Sequence, residues 1–201
     1  MMRIITGSAR GVRLETLEGE EVTRPTAERV KEAIFSAIQF ETEGRRVLDL
    51  FGGSGQMGLE ALSRGASTCM FVDASEEAIA VIKRNAQKTR LSDKSRYLIS
   101  DYRNYLRKAR GREKFDLVFL DPPYAMHAHA DALKRLLEGD LVAPDCLFVC
   151  ESSDPDIFID NEELAEKFTT RKTARYTHTY VHILTLREDT IDENGTDLRK
   201  L

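Results

Sequence analysis

The chain reads as an α/β domain built on a mostly parallel sheet, and three observations predict it. From residue 46 onward, short apolar runs alternate with amphipathic stretches of helical period. That alternation is the mark of a parallel sheet covered by helices on both faces. A glycine cluster sits between the first apolar run and the first amphipathic stretch, and two β-prone runs close the ordered part of the chain.

Taken in order, Arg3–Thr6 and Val12–Leu14 are short strand-like runs around Gly7, Ser8 and Gly11, a small hairpin or extended arm. Arg24-Pro25 breaks the chain. Thr26 then stands as an N-cap before apolar positions Val30, Ala33, Ile34, Ala37 and Ile38, which share one helical face. Arg46–Phe51 is the first strand run, followed by a helix to about Arg64 that Gly65 stops. Thr68–Val72 is the second. Ser75 caps the next helix, with Glu76 and Glu77 in its first turn and Ile79, Ile82 and Ala86 on its buried face. Arg96–Ser100 is the third run, with a helix near Tyr102–Ala109; Phe115–Leu120 is the fourth, with a helix near Ala130–Leu137; Cys146–Cys150 is the fifth. Phe168–Tyr176 and Tyr180–Leu186, parted by a Thr/His turn, complete a seven-stranded sheet as a terminal hairpin with at least one antiparallel strand. Residues 1–40 thus form an N-terminal arm and helix, 41–187 the main domain, and 188–201 a polar tail without periodicity, expected to be flexible.

Composition narrows the class. Lys and Arg number 30 against 34 for Asp and Glu in 201 residues, a formal net charge of −4, with 41% hydrophobic and 32% charged residues. These are ordinary globular values, which exclude collagen-like, coiled-coil and disordered chains. The length suits one domain whose core needs no staple. Three cysteines without a CxxC pair predict free thiols in a reducing cytoplasm. No apolar run approaches membrane-spanning length, and Arg3 and Arg10 interrupt any signal-like stretch. An acidic total argues against coating nucleic acid by charge alone. It is compatible with a local basic patch, and the arm carries Arg3, Arg10, Arg13, Arg24 and Arg29.

The chemistry gathers at the strand ends. Asp49, Asp73, Asp101, Asp121 and Glu151 each lie at or just after the end of a successive run. Ligands of open α/β sheets bind outside the carboxyl ends of the strands, so these acids converge on one rim. Any single one is equally explained as a turn or helix-capping residue. The cluster Phe51-Gly52-Gly53-Ser54-Gly55-Gln56-Met57-Gly58 holds GxGxxG at Gly53, Gly55 and Gly58, with Asp73 20 residues beyond Gly53. Glycines let backbone approach a ligand, and an acid on the next strand accepts from two ribose hydroxyls. NAD, FAD and S-adenosylmethionine all satisfy this pattern.

Asp121-Pro122-Pro123-Tyr124 separates them. Two prolines fix the backbone and remove two N–H donors, so the Asp121 carboxylate and the Pro122 carbonyl are left as acceptors for an exocyclic amine. Tyr124 offers a ring on which a flipped base stacks. Hydride transfer has no use for that arrangement, whereas methylation of an amine does. Alone, the tetrapeptide could also be a plain Pro-Pro turn.

The two motifs together resemble the Rossmann-like S-adenosylmethionine-dependent (class I) methyltransferases that modify amino nitrogens. RIITGSARG (3–11), RPTAERVKEAIF (24–35), VLDLFGGSGQMGLEALSRGA (47–66) and FDLVFLDPPY (115–124) resemble, more closely, the RsmD family. These are the bacterial 16S ribosomal RNA (guanine(966)-N(2))-methyltransferases. Where that family leads one to expect Tyr-Gly-x-Thr in the last hairpin, this chain has Tyr176-Thr177-His178-Thr179.

The resemblance implies a site. S-adenosylmethionine, leaving as S-adenosylhomocysteine, would be held by Asp49, Phe51, Gly52, Gly53, Ser54, Gly55, Asp73, Ala74, Asp101 and Tyr102. Asp73 would take the ribose hydroxyls and Asp101 would face the adenine amine. Asp121, Pro122, Pro123 and Tyr124 would hold a flipped guanine for in-line attack of its N2, with Asp121 as first proton acceptor and no metal. Arg10, Arg13 and Arg24 would meet RNA phosphates. The partner would be 16S rRNA in the small subunit or its assembly intermediate, met in the cytoplasm by a monomer. Rival readings are an adenine-N6 or protein-glutamine methyltransferase, an NAD-dependent oxidoreductase, and a non-enzymatic RNA-binding module.

Other residues are given blander readings. His127 and His129 are expected to be exposed in a loop, His178 and His182 to share a strand face without binding metal, and Cys146 and Cys150 to be buried on one face of a strand.

Overall fold

Residues 2–17, 25–123, 126–159 and 161–187 are described by the computed structural model of the chain. Among them, strands β1 (Arg46–Asp49), β2 (Thr68–Asp73), β3 (Ser95–Ile99), β4 (Phe115–Leu120), β5 (Val142–Ser152), β6 (Phe168–Tyr176) and β7 (Thr179–Leu186) form one sheet. Its order is β3-β2-β1-β4-β5-β7-β6. The first five strands run parallel, while β7 is antiparallel to both β5 and β6. From β1 the chain winds outward to β2 and β3, then returns to β4 on the other side. A crevice opens where the winding reverses, beyond the carboxyl ends of β1 and β4.

The helices are α1 (Pro25–Ala37), α2 (Gln56–Ser63), α3 (Glu76–Thr89), α4 (Tyr102–Ala109), α5 (His129–Glu138) and α6 (Glu162–Ala165). Side chains alternate across the pleat, which sorts the core into two layers. Val47, Phe71, Leu117 and Val149 face α1, α2 and α3; Leu48, Val72, Val118 and Phe148 face α4 and α5. Ser75 Oγ accepts from the Ala78 amide and starts α3, as its sequence predicts. The buried residues Tyr102, Tyr105, Leu106 and Ala109 recur at helical spacing along α4. Cys146 and Cys150 are buried on one face of β5, also as predicted.

Several expectations are corrected. Helix α1 begins at Pro25, so Thr26 lies inside its first turn rather than capping it; proline's fixed φ and missing N–H suit that first position. Strand β5 starts at Val142, four residues before its apolar run, and shifts register against β4 between Phe115 and Leu117. Glu151 therefore lies within β5 instead of following it. His129 is buried in the first turn of α5, with Nε2 2.9 Å from the Glu151 carbonyl. His178 sits in the β6–β7 turn, so it does not share a strand face with the buried His182. Helix α6 was not foreseen, although Asn161 Oδ1 capping the Leu164 amide is a readable signal. The two runs of the arm do not extend into strands; they meet in one isolated bridge, Arg3↔Arg13. The tail 188–201, Arg24 and Tyr124 lie outside the described residues.

Thr177 has φ +57°, left-handed backbone that a β-branched residue enters at a cost of about 1–2 kcal/mol. Thr177→Gly should therefore stabilise the chain, by about 0.5–1 kcal/mol once glycine's larger unfolded-state entropy is subtracted. Thermal unfolding should show a midpoint about 2 °C higher; an unchanged or lower midpoint would show that the turn carries no such strain.

Candidate active site

The crevice holds two adjoining cavities. The larger, about 530 Å³, lies among the ends of β1, β2, β3 and β4, a size ordinary for a small-molecule site. The smaller, about 70 Å³, lies between the glycine loop and the ends of β4 and β5. Phe51, Gly53 and Asp121 border both.

Local geometry explains the loop after β1. Gly53 has φ +52°, and a Cβ built on it would meet nothing within 4 Å, so its backbone is open to a ligand. Its N–H donates to Asp73 Oδ2 at 2.9 Å, while Asp73 Oδ1 accepts from the Ser75 N–H at 2.8 Å. Two backbone donors thus fix the carboxylate at the cavity wall. Gly58 answers a different need: a Cβ there would lie 2.4 Å from Phe71 Cε1 and 2.6 Å from Cys69 Sγ. Only glycine lets α2 approach β2 this closely, and its N–H donates to Asp49 Oδ2 at 3.0 Å.

Of the residues assigned to a cofactor from sequence, Phe51, Gly53, Asp73, Ala74, Asp101 and Tyr102 line the larger cavity. Asp49, Gly52 and Ser54 line the smaller. Gly55 lines neither, standing at the N-cap of α2 with φ +79°. The Tyr102 ring lies 5.4 Å from that of Phe51, and its hydroxyl donates to Asp131 Oδ2 at 2.7 Å, which fixes an aromatic wall. Asp101 reaches the cavity but spends its carboxylate on α4: Oδ1 accepts from the Asn104 N–H and Oδ2 from the Asn104 side-chain amide. The Asn104 N–H, foremost, holds this carboxyl below the usual range. Asp121, Pro122 and Pro123 border the larger cavity at the end of β4, and the Pro123 carbonyl accepts from the Met126 N–H at 2.8 Å.

Three carboxyls, Asp49, Asp121 and Glu151, meet at the smaller cavity. Burial, with Asp121 and Asp73 nearby and the Gly58 N–H opposing, pushes Asp49 up to about 7. Burial beside Asp121 and Asp49 pushes Glu151 well above its ordinary value, although by surface area the residue is only half-buried. Both shifts oppose gathering three negative charges around Asp121.

The arm is part of this architecture, in a way sequence reasoning missed. Glu60, fully buried in α2, accepts from the Ile5 and Thr6 N–H groups at 2.7 and 3.1 Å and from Arg64 Nε at 2.7 Å. Lys31 Nζ donates to the Arg3 carbonyl at 2.7 Å and lies 3.9 Å from Glu60 Oε2. Buried Asn85 accepts from the Glu15 N–H and donates to the Glu15 and Ser54 carbonyls, which ties the arm to the glycine loop. Two residues on, Leu17 lines the larger cavity. A charged residue inside each apolar stretch, Lys31 in α1 and Glu60 in α2, was the available signal; nothing in the sequence marks Leu17. Arg10 and Arg13 are exposed on this arm and form no ion pair among the described residues. Among the described residues, no cluster of three or more His, Cys, Asp or Glu side chains could hold a metal, and no helix is long and apolar enough to cross a membrane.

The profile of the family described as conserved hypothetical protein 95 matches residues 2–183. YlbH of Bacillus subtilis (strain 168), proposed by its name as an rRNA methyltransferase, is 40% identical over 151 residues, covering 75% of this chain and 82% of that protein. Ribosomal RNA small subunit methyltransferase D of Haemophilus influenzae is 33% identical over 172 residues, covering 84% and 89%. A solved structure from Haemophilus influenzae, HI0767, described as a proposed methylase, is alike with a TM-score of 0.76 at 26% identity, covering 93% of this chain and 99% of that one.

Proposed function

The chain belongs to the family described as conserved hypothetical protein 95, the RsmD family, and from this premise we propose that it methylates ribosomal RNA with S-adenosylmethionine. The finer reading is transfer to the exocyclic N2 of a guanine in 16S rRNA, the equivalent of guanine 966. The substrate would be the small subunit or its assembly intermediate, met by a monomer in the cytoplasm. Residues 1–40 would add RNA and cofactor contacts to a methyltransferase domain spanning 41–187.

One observation carries this reading: Asp121 borders both the cavity lined by Gly53 and Asp73 and the smaller acidic cavity. An acceptor for an amine thereby stands beside a nucleoside site. The chain's residues fit the cofactor, since the exposed Gly53 backbone, the fixed Asp73 carboxylate and the Phe51–Tyr102 wall suit a loop contact, a ribose and an adenine. When bound, the cofactor supplies a methyl group on a sulfonium sulfur. Asp121 and the Pro122 carbonyl accept the two N2 hydrogens and turn the amine's lone pair toward that methyl. Positioning and electrostatics supply most of the rate. The amine proton passes to Asp121. Tyr124 would stack on the flipped base.

The test combines purified protein, labelled S-adenosylmethionine and small subunits from a strain lacking this gene, with the methylated nucleotide mapped. Label on one guanine N2 is expected. Label on an adenine, or tight NADH binding with none to S-adenosylhomocysteine, would overturn the reading.

Asp49 gives a pH test. Its carboxyl is raised from 3.8 in the unfolded chain to about 7, so the stability that its proton confers is full below the lower value. That stability is lost as pH rises through about 7. Asp49→Asn keeps an acceptor for the Gly58 N–H and removes the titration. The wild type should therefore lose on the order of 4 kcal/mol relative to the variant between about pH 4 and pH 8. Thermal midpoints that fall in parallel for both proteins would contradict the shift.

A further inference from the structure

We infer that the outer hairpin, β6–β7, is a second RNA-binding surface that grips the backbone flanking the target along its free edge, with Lys172 on one face of the edge strand beside Ile183 and Arg175 on the other beside Tyr180. The inference rests on the RNA-methyltransferase reading above and adds a contact surface to it.

Charge is the first observation. From Lys167 to Arg187 the chain carries five basic residues and no acid, within a protein whose formal net charge is −4. The rest of the chain is thus more acidic still, and the hairpin stands out as a cationic edge. Arg171 is committed to Glu41 at 2.7 Å, and Arg187 is engaged elsewhere. Lys172 and Arg175 are exposed and form no ion pair among the described residues. Exposed Thr169 and Thr170 lie on the same strand, hydroxyl donors suited to phosphate oxygens.

Placement is the second. Tyr180 pairs with Ser152 and Val181 with Glu151, so the β6–β7 turn stands at the rim that carries Glu151 and Asp121. Arg175 lies opposite Tyr180, its guanidinium 5.6 Å over that ring. The Tyr180 ring stacks on His182 at 6.4 Å, and Thr173 Oγ1 lies 3.1 Å from His182 Nδ1. This ordered cation–aromatic pair suits a phosphate beside a base. From β4 to β6 is three strand steps, about 14 Å. That is roughly four stacked nucleotides at about 3.4 Å each. The arm lies over α2 and α3, toward the opposite side of the crevice, so an RNA strand passing over Asp121 would be held on both flanks.

Lysine on an edge strand also discourages strand pairing between molecules. That need is met by either sign of charge, so it accounts neither for the absence of acids nor for the Arg175–Tyr180 pair.

The test is Lys172→Gln/Arg175→Gln, with the thermal midpoint and S-adenosylhomocysteine affinity as folding controls. Affinity for protein-free 16S rRNA should fall about 10-fold or more at moderate salt, and the slope of log K against log salt should fall by about 2. Unchanged affinity and slope in the folded variant would overturn the inference. So would weaker binding to small subunits with binding to protein-free RNA intact, because the hairpin would then meet a protein of the particle. Failure of the wild type itself to bind or methylate either protein-free rRNA or small subunits would instead sink the proposed function, and this surface with it.

Discussion

Asp121→Ala should cut methyl transfer by about 10²–10³-fold or more while leaving affinity for S-adenosylhomocysteine within about threefold. The size follows from losing a charged acceptor for the reacting amine, together with the positioning it provides. The selectivity follows from geometry. Asp121 shares the cavity with Gly53 and Asp73, but those two are fixed by each other and by the Ser75 N–H, independently of it. Asp121→Asn separates the two roles. It keeps an amide oxygen for one N2 hydrogen and loses the proton acceptor, so it should bind RNA like the wild type and turn over slowly. Single-turnover rates and equilibrium titrations measure both. Turnover within tenfold of wild type for the alanine variant would remove Asp121 from the reaction.

What was legible in the sequence follows from local pattern. The run at Phe115–Leu120 and the helix at Tyr102–Ala109 are bounded as predicted, because each has a strong period and a clear stop. The glycine loop and Asp73 were readable because their spacing encodes a strand, a turn and a second strand. Strand β5 was cut short because Pro144 and Asp145 break its apolar pattern, whereas pairing with β4 and β7 carries the backbone through. The shorter run puts Glu151 after the strand instead of within it, although it meets Asp49 and Asp121 at the rim as expected. His129 appeared to belong to a loop; the Glu151 carbonyl, distant in sequence, holds it inside. The arm's path was invisible for the same reason. The groups that receive it, Glu60, Ser63 and Asn85, lie on helices α2 and α3, and Leu17 reaches the cavity only because they fix the chain before it.

Glu60→Ala should cost about 3–5 kcal/mol and release the arm. The carboxylate is fully buried and serves three donors, Ile5 N–H, Thr6 N–H and Arg64 Nε, with the Lys31 ammonium close by. Removing it strands two backbone donors and leaves Lys31 charged and buried, the combination that makes breaking an internal ion pair expensive. Burial already pulls the Lys31 ammonium below lysine's ordinary value, with Glu60 opposing. A second change, Lys31→Met, distinguishes the two consequences. In Glu60→Ala/Lys31→Met the unpaired charge is gone, so part of the stability should return in denaturant unfolding. The Ile5 and Thr6 amides still lack an acceptor, so limited proteolysis should cut the arm in both variants and spare it in the wild type. Because Leu17 follows the arm into the larger cavity, S-adenosylhomocysteine should also bind more weakly to both. An arm equally protected in all three proteins would mean that Ser63 and Asn85 suffice to hold it, and that the buried carboxylate serves α1 and α2 alone.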